Sequence, residues 1–476
     1  MNPRYEVSSR VAATPFGGIG AMHELCRRVG LDQAINANLD VLKKRPCYHE
    51  SDHVLNIAFN AMCGGANLEH LELLRTDESY LDALGTERIP DPTTAGDFCR
   101  RLDQDDLDAL MDSVNQVRSQ VWAQQPDSFF DEAVIEADGT IVGTTGECKE
   151  GMDLSYKNIW GYHPLLISLA NTQESMFIVN RSGNRNSHVG AAEYYDKAIR
   201  LCREGGFRKI TLRGDTAFTQ TAFLDGWHND KVQFIFGMPA IRPMVARARN
   251  LPETRWKRLH RRKKYEVATT PRSRPENVKE QIVTDRGYKD VHLEYEDVAE
   301  FRHQPSRCQA TYRIVIVRKN LRWMKGQEEF WPEIRYLFYI TNDTRSPPEE
   351  IVFSANKRCN QENLIDQLKN GVPALRAPLN TLHANGAYMV MASLAWNLKQ
   401  WFALLMPVSN RWRKHHEREK ADVLRMEMRT FINAMIRLPC QVVRSGRRTI
   451  YRLLSWSPWL RPFLRAADAM RHPLRC

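Results

Sequence analysis

No two cysteines in this 476-residue chain form a CxxC pair, and the ten, at 26, 47, 63, 99, 148, 202, 308, 359, 440 and 476, follow no regular spacing. That argues against a structural zinc site and reads as reduced thiols filling a core. The opening residues, MNPRYEVSSR, lack the apolar stretch of an export signal, so the expected localisation is cytoplasmic. Long apolar runs are scarce as well. Gly386 to Val408 is the one candidate membrane segment, and Asn397, Lys399 and Gln400 interrupt it; it reads as a buried core helix, with no membrane partner. Acid is also short, at 57 Asp and Glu against 68 Lys and Arg, for a formal net charge of +11 and a pI near 9.1. In a chain that is 42% hydrophobic this describes a folded protein rather than a disordered polycation, and the sign suggests a polyanionic partner, with solubility alone as the other explanation.

The length exceeds one small core, so several domains are expected. Residues 1–125 carry helical periodicity, as in Met22, Leu25, Val29 and Leu31 and again from His53 to Cys63. This predicts a helical N-terminal domain able to bind DNA, although no helix-turn-helix pattern stands out. Between 126 and 239 strands and helices alternate, and the stretch reads as the first part of a mixed-sheet core. Residues 240–332 break that rhythm with the basic run RWKRLHRRKKYEV and short β patterns, which predicts a β-rich basic insertion. The sheet texture returns over 333–408, beginning with the strand Ile334 to Ile340. Residues 409–476 read as a helical basic C-terminal region. The charge is concentrated in two patches: 16 Lys and Arg against 5 Asp and Glu from Arg411 onward, and nine against one from Arg255 to Arg274.

Two segments share one pattern. In VIEADGTIVG, Val134 to Gly143, an apolar strand runs into Asp138, and in KITLRGDTAF, Lys209 to Phe218, another runs into Asp215. An Asp-Gly hairpin turn explains the first alone; the repetition suggests two carboxylates at the ends of neighbouring strands. A helix predicted over Asn360 to Asn370 and stopped by Gly371 carries Glu362 in its first turn. Three converging carboxylates need divalent cations to stay ionised, and hard oxygen ligands select Mg²⁺, with Mn²⁺ as the alternative. Two such ions would serve phosphoryl transfer on DNA. Arg358, Glu362 and Lys369 form an R-x3-E-x6-K spacing in which both cations return near the face of the acid.

These residues resemble DDE transposases of bacterial insertion sequences, most closely the IS1380 family, in the wider IS4-like group whose third motif is Tyr-x2-Arg-x3-Glu-x6-Lys. The resemblance rests on EADGT around Asp138, GYHPLL at Gly161 to Leu166, SGN at Ser182 to Asn184, LRGDTAF around Asp215, and Arg358, Glu362 and Lys369. One position departs from it: the motif's Tyr falls at 355, where this chain has Ala355. Glu349 and Glu350 therefore stay open as alternative third acids. The resemblance implies an RNase H-like catalytic core, an α/β fold with the insertion between the second Asp and the Glu. It also implies that Asp138, Asp215 and Glu362 are catalytic and metal-binding, and that the chain acts as a homodimer on transposon ends and target DNA, moving them by cut and paste.

Further candidates are single residues. Arg213 is a candidate phosphate contact, with a salt bridge as its alternative; Trp256 would stack on an unpaired base or fill a core. Arg261, Arg262, Lys263 and Lys264 are candidate DNA contacts by charge. Glu136, Asp153, His163 and His188 lie near the strand ends and have structural explanations. Two other functions fit less of the chain: a catalytically inactive DNA-binding descendant of a transposase, and a glycosidase with two carboxylates, which leaves the basic patches unexplained.

Overall fold

The computed structural model describes residues 12–42, 47–261, 276–325, 328–445, 448–454 and 456–474. The chain divides into two compact units, one of Met1–Ile210 with Asn360–Cys476 and one of Thr211–Cys359. The architecture is mixed α/β, with a large mixed sheet and many helices.

The first unit is built around the apolar stretch noted above, which forms the helix Leu382–Leu404, buried from Ala384 to Leu404. Thr381 caps it, accepting from the Ala384 amide at 3.2 Å. Among the described residues no helix is long and apolar enough to cross a membrane. Two of the polar residues in the helix are met by backbone partners: Asn397 exchanges hydrogen bonds with the Ser175 backbone at 3.0 and 2.9 Å, and Lys399 Nζ donates to the Leu424 carbonyl at 2.8 Å. N-terminal helices pack on it, among them Glu50–Met62, Pro92–Arg101 and Gln104–Trp122. The loop IPDPTT starts Pro92–Arg101 through an Asp91 cap and Pro92 in the first turn. Asp103 and Asp106 form a capping box that starts Gln104–Trp122.

Lys399 gives the core a pH dependence. Burial pushes its ammonium down to about 7. Between that value and the ordinary lysine value near 10.4, the unfolded chain holds a proton that the folded chain lacks, so stability rises with pH across the window. Below pH 7 both states hold the proton and the slope vanishes. Wild type is expected to gain about 2–3 kcal/mol relative to Lys399→Met between pH 7 and pH 9, read from urea melts of both proteins at each pH. Parallel profiles for the two proteins would disprove the assignment.

The first unit's main strands, Ala133–Gly139, Leu165–Leu169 and Glu174–Val179, are antiparallel, with Asp138 opposite Leu166 and Leu166 opposite Ile178. A small sheet of Val142–Gly143, Trp160–Tyr162 and Asp153–Leu154 follows the Asp138 strand in the chain. The helix Cys359–Asp366 lies on the main sheet through Gln361, which hydrogen-bonds Ser168. The expected single helix to Asn370 instead ends as an α-helix at Asp366 and continues as a π-helical turn, Gln367–Gly371. The C-terminal region has the helices Arg413–Arg425 and Leu460–Met470, together with an unexpected hairpin, Cys440–Ser445 and Arg448–Leu453, that pairs with Ala13–Thr14. The alternation in QVVRS and RTIYRL carried that signal.

In the second unit the strands run in the order Lys257–Arg258, Lys289–His303, Tyr312–Lys325, Glu328–Thr341, Gln233–Met238 and Ile210–Gly214. The last two are parallel and the other pairs antiparallel. The β-rich character expected from 240 onward takes the form of a meander of three long strands. The strand expected at Ile334 to Ile340 is the final part of its third member, Glu328–Thr341. The helix Pro348–Asn356 covers one face, with Ile351 and Val352 packed against Val298, Val315 and Val317.

Candidate active site and DNA contacts

Asp138 lies at the end of its strand, half-buried, with Oδ1 accepting from the Gly139 amide at 2.8 Å. At the next position, Gly139, a Cβ would come within 2.8 Å of His163 Nε2 and 3.1 Å of Ser187 Oγ, so a larger residue would displace the histidine. His163 is fixed by a 2.7 Å bond between Nδ1 and the Arg185 carbonyl, which makes Nδ1 the donor. Burial, with Arg181 and Lys369 nearby, lowers its pKa, so the ring stays neutral. Lys369, in the π-helical turn, donates from Nζ to the Ile141 carbonyl at 3.0 Å, binding the third motif to the chain just past Asp138. Burial and Lys157 lower its pKa, while Asp138 and Asp366 raise it. Glu362 is exposed in the first turn of Cys359–Asp366. Beyond Asp138, the segment Ile141 to Glu147, with Trp160, Lys369 and Arg376, lines a cavity of about 1250 Å³.

In the second unit, Asp215 ends the strand Ile210–Gly214 and caps a short 3-10 turn, its Oδ1 accepting from the Ala217 amide at 2.8 Å. Arg358 Nη1 stands 3.7 Å from its Oδ2. Arg358 lies in the turn after Pro348–Asn356, not on the helix of Glu362 as the motif spacing suggested. Asp215, Arg358, Tyr336, Tyr339 and Ala355 line a cavity of about 550 Å³. Ala355, at the place of the motif's Tyr, is thus a wall of the space beside Asp215. Glu349 and Glu350 occupy the first turn of Pro348–Asn356.

The single-residue candidates fall in varied settings. Arg213 is 4% exposed and donates to the Ser354 carbonyl at 2.8 Å, so its guanidinium joins strand to helix inside the unit and is turned away from solvent phosphate. Trp256 is half-buried, with the Arg318 guanidinium 4.3 Å over its ring and Tyr336 at 6.2 Å. Arg261 pairs with Glu296, Nη2 to Oε1 at 2.9 Å, which pushes the arginine further up. Arg262, Lys263 and Lys264 lie outside the described residues. Glu136 is buried, and Asp153 accepts from Asn184 Nδ2.

Sequence reading missed the charges that the core conceals. Arg118 and Glu174 are both fully buried and paired at 3.0 Å. Glu174 also accepts from Trp122 Nε1 at 2.9 Å and Trp401 Nε1 at 2.8 Å. Nothing in NTQESMF or in the helix of Arg118 marks this pair, because its members are 56 residues apart.

Carboxylate oxygens are the donors that a hard divalent cation takes, so the acids suit Mg²⁺ chemically. Among the described residues, no three His, Cys, Asp or Glu side chains form a group spaced to hold a metal ion.

Comparison with known proteins gives three findings. The profile of the transposase DDE domain, group 1, matches residues 12–473. No curated protein matches the chain. Among solved structures, a cryo-EM structure of the piggyBac transposase synaptic complex with hairpin DNA is similar at 11% identity and a TM-score of 0.33, over 88% of each chain.

Proposed function

The chain belongs to the transposase DDE domain family, group 1, and we propose that it binds the terminal inverted repeats of an insertion sequence and carries out Mg²⁺-dependent strand cleavage and strand transfer. Enzymes of this family are transposases and work with divalent metal ions. In the finer reading the element is of the IS1380 kind, the catalytic core is RNase H-like, and a cytoplasmic homodimer holds two ends and a target. Asp138, Asp215 and Glu362 form the proposed ligand set. The observation that carries the reading is the family match over residues 12–473, to which two strand-end aspartates held by backbone amides add support.

Held by the oxygens of Asp138, Asp215 and Glu362, divalent cations would supply activation of a water or 3′ hydroxyl and charge neutralisation for an in-line displacement at phosphorus. The rest falls to the chain's own side chains. The amide bonds fix one oxygen each of Asp138 and Asp215, which sets the direction of the other. Arg358, partly exposed beside Asp215, is a cation placed to meet a DNA phosphate at that strand end. Lys369 holds the chain beyond Asp138 in place through Ile141.

The test is cleavage of a labelled duplex carrying the DNA that flanks the coding region. Cuts at matched inverted ends are expected in Mg²⁺ and none in excess EDTA. Binding without cutting under every metal condition would leave the catalytically inactive reading; cutting that survives EDTA would rule out a metal-dependent site.

A further inference from the structure

Several of the chain's described cations are neutralised at short range. Arg318 pairs with Glu253 at 2.7 Å and Asp297 at 3.1 Å, Arg258 with Asp297 at 3.6 Å, and Arg313 with Glu300 at 2.5 Å. The loop from Arg181 to Gly190 differs. Arg181 spends its guanidinium on carbonyls: Nε on His163 at 2.9 Å, and Nη1 on Ser187 at 3.1 Å and Val189 at 2.6 Å. Its Nη2 is buried without a hydrogen-bond partner among the described residues. Carbonyl dipoles satisfy N–H groups but leave the positive charge uncancelled.

The surroundings add to that charge. Arg185, exposed on the same loop, raises the electrostatic cost of Arg181. Arg181 and Lys369 both act on His163, and Lys157 acts on Lys369. Among the described residues no ion pair is formed by Arg181, Arg185, Lys157 or Lys369. The carboxylates facing this group are Asp138 and Asp366, which act on Lys369, and Asp153, which is bonded to Asn184. The loop is also rigid. Ser182 bridges to Tyr162, the Arg185 amide donates to the Ser182 carbonyl at 3.1 Å, and a Cβ on Gly183 would strike the Asp153 carbonyl at 2.2 Å. The loop is thus fixed and carries surplus positive charge next to the strand end that bears Asp138.

We infer that the Arg181–Gly190 loop seats a backbone phosphate of DNA beside Asp138, with the exposed Arg185 as its outer ligand and Arg181 as the fixed charge that shapes it. The inference rests on the DNA-processing reading above and names the segment that grips the strand. It gives this loop a larger share of the phosphate contact than Arg258, Arg261 or Arg318, whose charge is already met by acids.

The experiment measures binding of the full chain to a short fluorescein-labelled duplex in EDTA by anisotropy, across about 50–200 mM NaCl. Arg185→Ala is expected to weaken binding about 3- to 10-fold and to reduce the slope of log affinity against log salt by about 1. Arg185→Glu weakens it further. Arg208→Ala removes the same charge from a site paired with Asp127 and Asp131 and keeps wild-type binding. Because Arg185 is exposed, melting temperatures close to wild type are expected for its variants. If Arg185→Ala and Arg185→Glu bind as wild type does, the phosphate seat is overturned while the transposase reading stands. If the unaltered chain binds no DNA, that reading falls and takes the seat with it.

Discussion

Asp138→Asn and Asp215→Asn are each expected to lower strand cleavage by roughly 10³-fold or more, the scale of losing a group that acts only in the transition state, while DNA binding stays at or above the wild-type level. The substitution is close to isosteric, and the retained Oδ1 still accepts from the Gly139 or Ala217 amide, so the strand end keeps its shape. What disappears is one negative charge, which a hard cation needs and a phosphate avoids. Single-turnover cleavage with saturating enzyme separates the two effects. Residual cutting within tenfold of wild type in either variant would remove that aspartate from the active site. Glu362→Gln, run beside Glu349→Gln and Glu350→Gln, then decides the third acid: the proposed set requires that the first alone match the aspartate variants.

The sequence showed what depends on local chemistry and hid what depends on distant partners. An apolar run ending in Asp is a local signal, and Ala133–Gly139 and Ile210–Gly214 are strands that end at or beside the two aspartates. The apolar stretch near 390 likewise forms a buried helix. Arg358 misled because an R-x3-E spacing assumes one continuous helix, and the chain turns between Asn356 and Cys359. The charge count from Arg255 to Arg274 leaves out what lies across the strands. Nine cations against one acid suggests an open basic face; two of the nine, Arg261 and Arg258, pair with Glu296 and Asp297 on the neighbouring strand of the sheet, and those from Arg262 to Arg274 lie outside the described residues. Composition along the chain cannot show that neutralisation, since strand pairing brings the acids in. The same limit hid the Arg181 loop, whose charge stands out only once the other pairs are known.

The buried pair in the first unit carries the largest expected effect on stability. Glu174→Ala is expected to cost about 3–5 kcal/mol, a large part of what holds an ordinary domain together. The substitution strands the Arg118 guanidinium in a site of 0% exposure and removes the acceptor of both the Trp122 and Trp401 indoles. Those donors belong to the helices Gln104–Trp122 and Leu382–Leu404, and Glu174 starts the strand Glu174–Val179, so three elements lose a shared anchor together. Glu174→Gln keeps the volume and one acceptor oxygen but turns an NH₂ toward existing donors, so its loss is expected to be smaller. Arg118→Met combined with Glu174→Leu should recover part of the alanine loss, because removing both charges also removes the stranded one. Urea denaturation of the four proteins orders them as wild type, double variant, Gln and Ala. An alanine variant within about 1 kcal/mol of wild type would mean that the pair contributes no more than a surface salt bridge and that packing alone joins the two helices to the strand.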